Sequence, residues 1–277
     1  MKSVTLPSGE KVAALGQGTW NIGDRATSRA AEIAALRCGL DHGLTLIDTA
    51  EMYGEGASEE LVGEALAGRR NEAFIVSKVY PHNASRKGTV AACERSLARL
   101  KTDRIDMYLL HWRGSVPFAE TIAAFEALQA AGKIRHFGVS NLGLADMHEW
   151  VKAKGGAALA ANQLLYNLTR RGIEWDLLPW LRERRIPVMA YSPIEQARLL
   201  RDPRLTGFAQ RHGMTPAQAA LAWLLGRDDV IVIPKASHPD RVRENAAARD
   251  ITLDAAQRAK LDRLFAPPTR PTPLEML

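Results

Sequence analysis

Cysteine and aromatic residues are scarce in this chain of 277 residues: two cysteines, with Phe, Trp and Tyr together at 6%. Two cysteines cannot build a disulfide framework, and Cys38 and Cys93 fall in helix-like stretches where they are expected to pack as small apolar side chains. No uncharged apolar run approaches the roughly 18 residues of a membrane span. Residues 1–10 hold no apolar leader core. The expectations are a cytoplasmic location and no membrane partner. Repeats, low-complexity segments and linkers are also missing, so residues 1–277 read as one domain. Hydrophobic residues at 46% and charged residues at 25% exclude a disordered chain, and 21 Gly with 14 Pro exclude a collagen-like one. The net charge of +6 is thinly spread. Arg69-Arg70, Arg170-Arg171 and Arg184-Arg185 are scattered pairs interrupted by acids, which argues against nucleic acid and leaves room for a small phosphorylated ligand.

What the chain does have is a rhythm. Short apolar runs end in polar side chains: Leu44–Ile47 before Asp48, Phe74–Ser77 before Lys78, Ile105–Leu110 before His111, and Phe137–Val139 before Ser140 and Asn141. Leu159–Ala161 precedes Asn162 and Gln163, Val188–Ala190 precedes Tyr191 and Ser192, and Val230–Pro234 precedes Lys235. With Ala13–Leu15 ahead of Gly16-Gln17-Gly18, eight strands are predicted, with the length and branching of buried parallel strands. Helix patterns lie between them. Phe118, Ile122, Phe125 and Leu128 share one face, and Thr215-Pro216 opens a helix reaching Leu225 before Gly226. Residues 29–42, 58–66 and 86–100 also read as helices. Asp48, Lys78, His111 and Ser140 follow one another at intervals of 30, 33 and 29 residues, each close to one strand–helix unit. A single α/β (β/α)8 TIM barrel is predicted. It is entered through a hairpin containing Pro7-Ser8-Gly9, carries additional helices near the C-terminus, and has a Pro-rich tail after Ala266 lying across one face. In such a barrel the C-terminal ends of the strands share one bowl. Any one polar stop is equally explained by a strand reaching water, whereas seven in register point to a site.

At Asp48-Thr49-Ala50-Glu51-Met52-Tyr53-Gly54, with Lys78 and His111 at later strand ends, the chain resembles the aldo-keto reductases. The likeness continues through Gly16-Gln17-Gly18-Thr19-Trp20, Gly138-Val139-Ser140-Asn141, Tyr191-Ser192-Pro193 and Ile233-Pro234-Lys235. It implies that Tyr53 is the general acid, Lys78 its activator and Asp48 the partner fixing Lys78, with His111 orienting the substrate carbonyl. An ammonium beside a phenol is expected to lower the phenol's pKa. Ser140, Asn141 and Gln163 match positions that hold a nicotinamide carboxamide, and Tyr191 the platform beneath its ring. Gly18, Thr19, Trp20 and Asp48 are implied on the nicotinamide side, and Ser192, Ile194 and Gln196 in the pyrophosphate loop.

Lys235 and Arg241 are implied for a 2′-phosphate, and Glu244 and Asn245 for the adenine. This favours NADPH, with NADH the weaker alternative. Ala236 stands where many relatives have Ser, and Ser237 is the substitute. Trp20, Met52, Tyr80, His111 and Trp112 are expected to wall the substrate pocket with the tail. The strings around Tyr53 and Ser77-Lys78-Val79-Tyr80-Pro81, with Lys235-Ala236, resemble a bacterial methylglyoxal-reductase-like branch. NADPH-dependent reduction of small aldehydes or dicarbonyls, methylglyoxal first, by a monomer is therefore expected. The alternatives are a broader aldose, ketone or diketo-acid reductase, a nucleotide-binding regulatory subunit, and a metal-dependent or hydrolytic barrel using Asp48, Glu51 and His111. Gly54-Glu55-Gly56 is too short for a phosphate loop, and the seven histidines show no metal-ligand spacing.

Overall fold

A computed structural model describes residues 2–277. Strands β1 (Ser3–Thr5) and β2 (Lys11–Ala13) form an antiparallel hairpin. Its turn is closed by the Leu6 and Glu10 backbones at 2.8 Å, and Gly9, at φ 88°, takes the left-handed conformation that the turn requires. Glu10 meets Arg135 and His136 at the start of a barrel strand, which places the hairpin over the bottom of the barrel, away from the strand C-termini.

Eight parallel strands follow: β3 (Gln17–Gly18), β4 (Leu46–Asp48), β5 (Phe74–Val79), β6 (Ile105–Leu110), β7 (Ile134–Ser140), β8 (Asn162–Leu165), β9 (Val188–Tyr191) and β10 (Val230–Val232). They pair in chain order, and bridges from Leu15 to Val232 and from Gly18 to Lys235 bring β3 beside β10 and close the ring. A Cβ on Gly18 would lie 2.9 Å from the Ile233 carbonyl oxygen, so the closure needs glycine there. The helices are α1 (Arg29–Asp41), α2 (Ala57–Ala65), α3 (Arg86–Leu100), α4 (Phe118–Ala130), α5 (Leu144–Lys152), α6 (Leu177–Glu183), α7 (Pro203–Arg211), α8 (Pro216–Leu225), α9 (Pro239–Ala247) and α10 (Ala255–Leu264). Ser85 caps α3, and Thr215 with Gln218 forms a capping box on α8 behind its first-turn proline. The chain is thus a (β/α)8 barrel with its N-terminal hairpin and added C-terminal helices.

Three strands differ in phase from the sequence expectation. Ala13 belongs to the hairpin, and the first barrel strand is Gln17–Gly18. The sixth barrel strand, β8, begins at Asn162, where the apolar run Leu159–Ala161 was expected to carry it, so Asn162 and Gln163 lie within the strand. Lys78 is likewise inside β5 and is followed by Val79. Parallel strands buried on both faces have no polar alternation to mark their ends. Among the described residues no helix is long and apolar enough to cross a membrane.

Candidate active site

Strand alternation turns Lys78 into the barrel and Ser77 outward toward the helices. Lys78 is fully buried, and its ammonium donates to Asp48 Oδ1 (2.8 Å) and Oδ2 (2.9 Å), to the Thr49 carbonyl (2.8 Å) and to Tyr53 Oη (3.2 Å). Gln163 Nε2, from the far side of the barrel, donates to Asp48 Oδ1 at 2.7 Å. An ammonium has three protons, and here carboxylate, carbonyl and phenol use them all. Because Tyr53 Oη accepts from Lys78, its own proton is left to point elsewhere.

The Tyr53 ring meets the His111 ring edge-on, with centroids 5.9 Å apart, and the Lys78 ammonium lies 4.8 Å from the Tyr53 ring centroid. Tyr53 starts the tight turn Tyr53–Gly56, in which Gly54, Glu55 and Gly56 all have positive φ. The four residues expected to act together are therefore within reach of one another, gathered from β4, the turn after it, β5 and the end of β6.

The electrostatics correct one expectation. Burial, with the Asp48 carboxylate adding to it, holds the Tyr53 phenol well above its ordinary pKa. The downward shift expected from the neighbouring Lys78 ammonium is not what the buried site gives. Burial lowers Lys78, against the opposing pull of Asp48. Burial also drives His111 well below the usual imidazole range, and the Lys78 charge adds to it. A neutral imidazole keeps one N–H to donate, and His111 Nδ1 is buried without a protein partner.

The His111 shift makes a prediction about stability. Its folded pKa is depressed, so below about pH 6.5 the unfolded chain takes up a proton that the native chain refuses. The contribution is complete above that pH and is lost as the pH falls. Urea unfolding between pH 6.5 and 5 is expected to show a decline in stability that is shallower in His111→Gln by up to about 1.4 kcal/mol per pH unit. Identical pH slopes in the two proteins would contradict the neutral assignment.

A cavity of about 250 Å³ opens over this group, lined by Met52, Tyr53, Trp112, Ser140, Asn141, Gln163, Tyr191, Met276 and Leu277. Tyr191 Oη donates to Asn141 Oδ1 (3.0 Å), Asn141 Nδ2 to the His111 carbonyl (3.2 Å), and Ser140 Oγ to the Gln163 carbonyl (3.0 Å). Of the expected wall residues, Met52 and Trp112 reach the cavity. Tyr80 packs edge-on against Trp112, ring centroids 5.7 Å apart, and Trp20, 41% exposed, does not line the cavity.

Glu51 is committed elsewhere: its carboxylate accepts from the Tyr80 backbone (2.8 Å) and Asn83 Nδ2 (3.0 Å). Among the described residues no group of three His, Cys, Asp or Glu side chains is placed to hold a metal ion.

Sequence reasoning singled out neither Met276 nor Leu277. The tail brings them in because Leu274 packs on the core and Glu275 pairs with Arg170. Arg170 also pairs with buried Glu195, at 2.8 Å, which anchors the loop carrying Ser192, Ile194 and Gln196. In that loop Ser192, Glu195, Gln196 and Ala197 all have positive φ.

The residues present fit a nicotinamide nucleotide. Hydroxyl and amide groups of Ser140, Asn141 and Gln163 sit together on one wall, beside the flat ring of Tyr191. Lys235 and Arg241 are exposed on the β10 side, with Arg241 paired to Glu244 at 2.7 Å, while Asn245 is buried and Ala236 and Ser237 are half-buried. The first amides of α9 have no side-chain cap from His238, which leaves them open to an anion. Gly18 and buried Thr19 lie at the end of β3, where Thr19 Oγ1 donates to the Asp48 carbonyl (2.9 Å).

Comparison with known proteins identifies relatives over the whole length of the chain. The sequence pattern of the Aldo/keto reductase family matches residues 14–266. The chain is 49% identical to methylglyoxal reductase YeaE of Escherichia coli K12, covering 100% of this chain and 99% of that one. It is 33% identical to glyoxal reductase of Bacillus subtilis, covering 95% and 92%. Among solved structures, an aldo-keto reductase from Klebsiella pneumoniae in complex with NADPH superimposes with a TM-score of 0.97 at 49% identity, over 100% of this chain and 99% of that one.

Proposed function

The chain belongs to the aldo/keto reductase family and is an oxidoreductase, and we propose that it reduces small aldehydes and dicarbonyls, methylglyoxal first among them, with NADPH. The observation that carries this is the phenol of Tyr53 held against Lys78 at 3.2 Å on the wall of a cavity of about 250 Å³.

Reduced nicotinamide, when bound, supplies a hydride to the carbonyl carbon. Everything else falls to the chain. Tyr53 donates the proton to the substrate oxygen. An alkoxide is a far stronger base than a phenolate, so the transfer runs downhill even from a phenol whose pKa is raised. Lys78, already in contact with Oη, stabilises the phenolate left behind, and Asp48 keeps the ammonium in place. Neutral His111 orients the carbonyl and steadies the charge growing on its oxygen without competing for the proton.

Ser140, Asn141 and Gln163 hold the carboxamide, and Tyr191 supports the ring. Gly18, Thr19 and Trp20 line its near side, and Ser192, Ile194 and Gln196 flank the pyrophosphate. Lys235 and Arg241 take the 2′-phosphate, with Ser237 available to it, and Glu244 and Asn245 face the adenine. Met52, Trp112 and the tail wall the substrate side, with Trp20 and Tyr80 around them. A monomer in the cytoplasm suits the two unpaired cysteines and a surface whose charge is dispersed.

The test is nucleotide oxidation across methylglyoxal, simple aldehydes, aldoses, ketones and diketo acids, with NADPH and with NADH. Methylglyoxal or another small dicarbonyl is expected to give the highest kcat/KM. Charge-assisted hydrogen bonds contribute about 1.5–3 kcal/mol, so NADPH should exceed NADH by about ten- to a hundredfold, with the gap narrowed in Arg241→Ala. Preference for NADH would overturn the phosphate assignment, and turnover of aldoses above all dicarbonyls would overturn the substrate class.

A further inference from the structure

Behind β5, on the side away from the cavity, lies a buried polar cluster that no step above uses. Glu59, in the first turn of α2, is a carboxylate with 0% exposure. Its two oxygens accept from Ser77 Oγ at 2.5 Å and from Arg99 Nε of α3 at 2.7 Å. Replacing a buried ion pair by apolar residues of similar volume is often neutral or stabilising, so stability alone is a weak reason for this one.

Its connections run instead to the proton-transfer pair. Ser77 adjoins Lys78 on β5, and a hydrogen bond that fixes Ser77 on the outer face fixes the phase of Lys78 on the inner face. The Arg99 guanidinium packs on Gly56, where a Cβ would lie 2.6 Å from Arg99 Cδ and Nε. Gly56 closes the turn that begins at Tyr53. Within that turn Glu55, a non-glycine residue at φ 53°, keeps its left-handed conformation only with support from its surroundings. Next to Glu59, Ser58 Oγ donates to Thr19 Oγ1 (2.7 Å), which donates to the Asp48 carbonyl, and it lies 3.1 Å from Thr49 Oγ1. Thr49 is the residue whose carbonyl holds Lys78. The Glu59 charge also reaches Lys78 and favours its ammonium form.

We propose that Ser58, Glu59, Ser77 and Arg99 are positioning residues that set the Tyr53 phenol against the Lys78 ammonium from behind the barrel wall. This rests on the assignment of those two residues to proton transfer, and it adds a function for the α2–α3 layer, which touches neither substrate nor nucleotide.

The test uses the full chain carrying Ser77→Ala, which removes one hydrogen bond, and Glu59→Gln, which keeps the shape and removes the charge. Two readouts separate positioning from structural support. In turnover, kcat is expected to fall about tenfold in Ser77→Ala and about a hundredfold in Glu59→Gln, with KM and the NADPH Kd within about twofold of the parent, as for a small misplacement of reacting groups. In resting protein labelled with ¹³Cζ-tyrosine, the Tyr53 resonance is expected to move in both variants while that of Tyr166, which neither Ser77 nor Glu59 approaches, stays.

Parental kcat with an unmoved Tyr53 resonance would overturn the inference. So would a loss shared equally by kcat, KM and Kd with the resonance in place, since that is general loosening. A variant of Glu59 that does not fold leaves the milder Ser77→Ala to decide. Absence of carbonyl turnover in the parent would refute the functional assignment, and the resonance would still report whether the cluster positions Tyr53.

Discussion

Tyr53→Phe is expected to lower kcat for carbonyl reduction by about a hundred- to ten-thousandfold while NADPH still binds, the range lost when a positioned general acid is removed. The substitution deletes one oxygen and leaves the ring, so the edge-on contact with His111 survives. Lys78 loses one of its partners and keeps Asp48 and the Thr49 carbonyl. Thermal unfolding should therefore change little, and the loss should appear in kcat. Steady-state turnover with a fluorescence titration of NADPH checks both halves. Near-parental turnover by a folded variant would remove Tyr53 from the acid's role and the proposed mechanism with it.

Lys78→Met is expected to be costly twice over. The ammonium is fully buried and its counter-charge Asp48 is 2% exposed, so losing one partner strands the other in the barrel interior. Breaking a buried pair in this way costs about 3–5 kcal/mol, most of it the desolvation of the orphaned carboxylate. Carbonyl reduction should also fall, because the phenolate left after proton transfer has no cation beside it.

The two effects can be separated. Lys78→Met combined with Asp48→Asn removes the stranded charge, and an amide oxygen at position 48 can still accept from Gln163 Nε2. The double variant should regain most of the unfolding free energy in urea and none of the turnover. Recovery of both, or of neither, would show that Lys78 does not combine an electrostatic partnership with an activating one.

The same pair shows where residue-level reasoning reached and where it stopped. Asp48, Lys78 and His111 were legible because each carries polar chemistry at the end of an apolar run, at intervals close to one strand–helix unit, whereas Tyr53 was legible only through the resemblance of the string Asp48–Gly54 to the aldo-keto reductases. The direction of the Tyr53 pKa was not legible. It depends on how deeply the phenol is buried and on how close the Asp48 carboxylate comes to it, both products of packing.

Glu59 and Arg99 gave no signal at all. A charged residue in an early helical turn looks solvated until a strand and a second helix are placed over it. The start of β8 at Asn162 was hidden for a related reason, since Leu159–Ala161 is as apolar as a strand while lying just before one. Met276 and Leu277 had no pattern to betray them either. Their place in the cavity follows from the anchoring of Leu274 and from the Arg170–Glu275 pair.

Order and spacing along the chain were enough to determine a barrel of eight strand–helix units, because local apolar runs, caps and turns are written in neighbouring residues. They also determined which residue types come to its mouth. Tertiary structure alone decided which of those side chains face inward, which charges cancel, and which distant groups brace them. Those outcomes depend on burial and on contacts between segments far apart in the chain, 115 residues for Gln163 and Asp48, and a low-dielectric interior makes each such contact count for far more than it would in water.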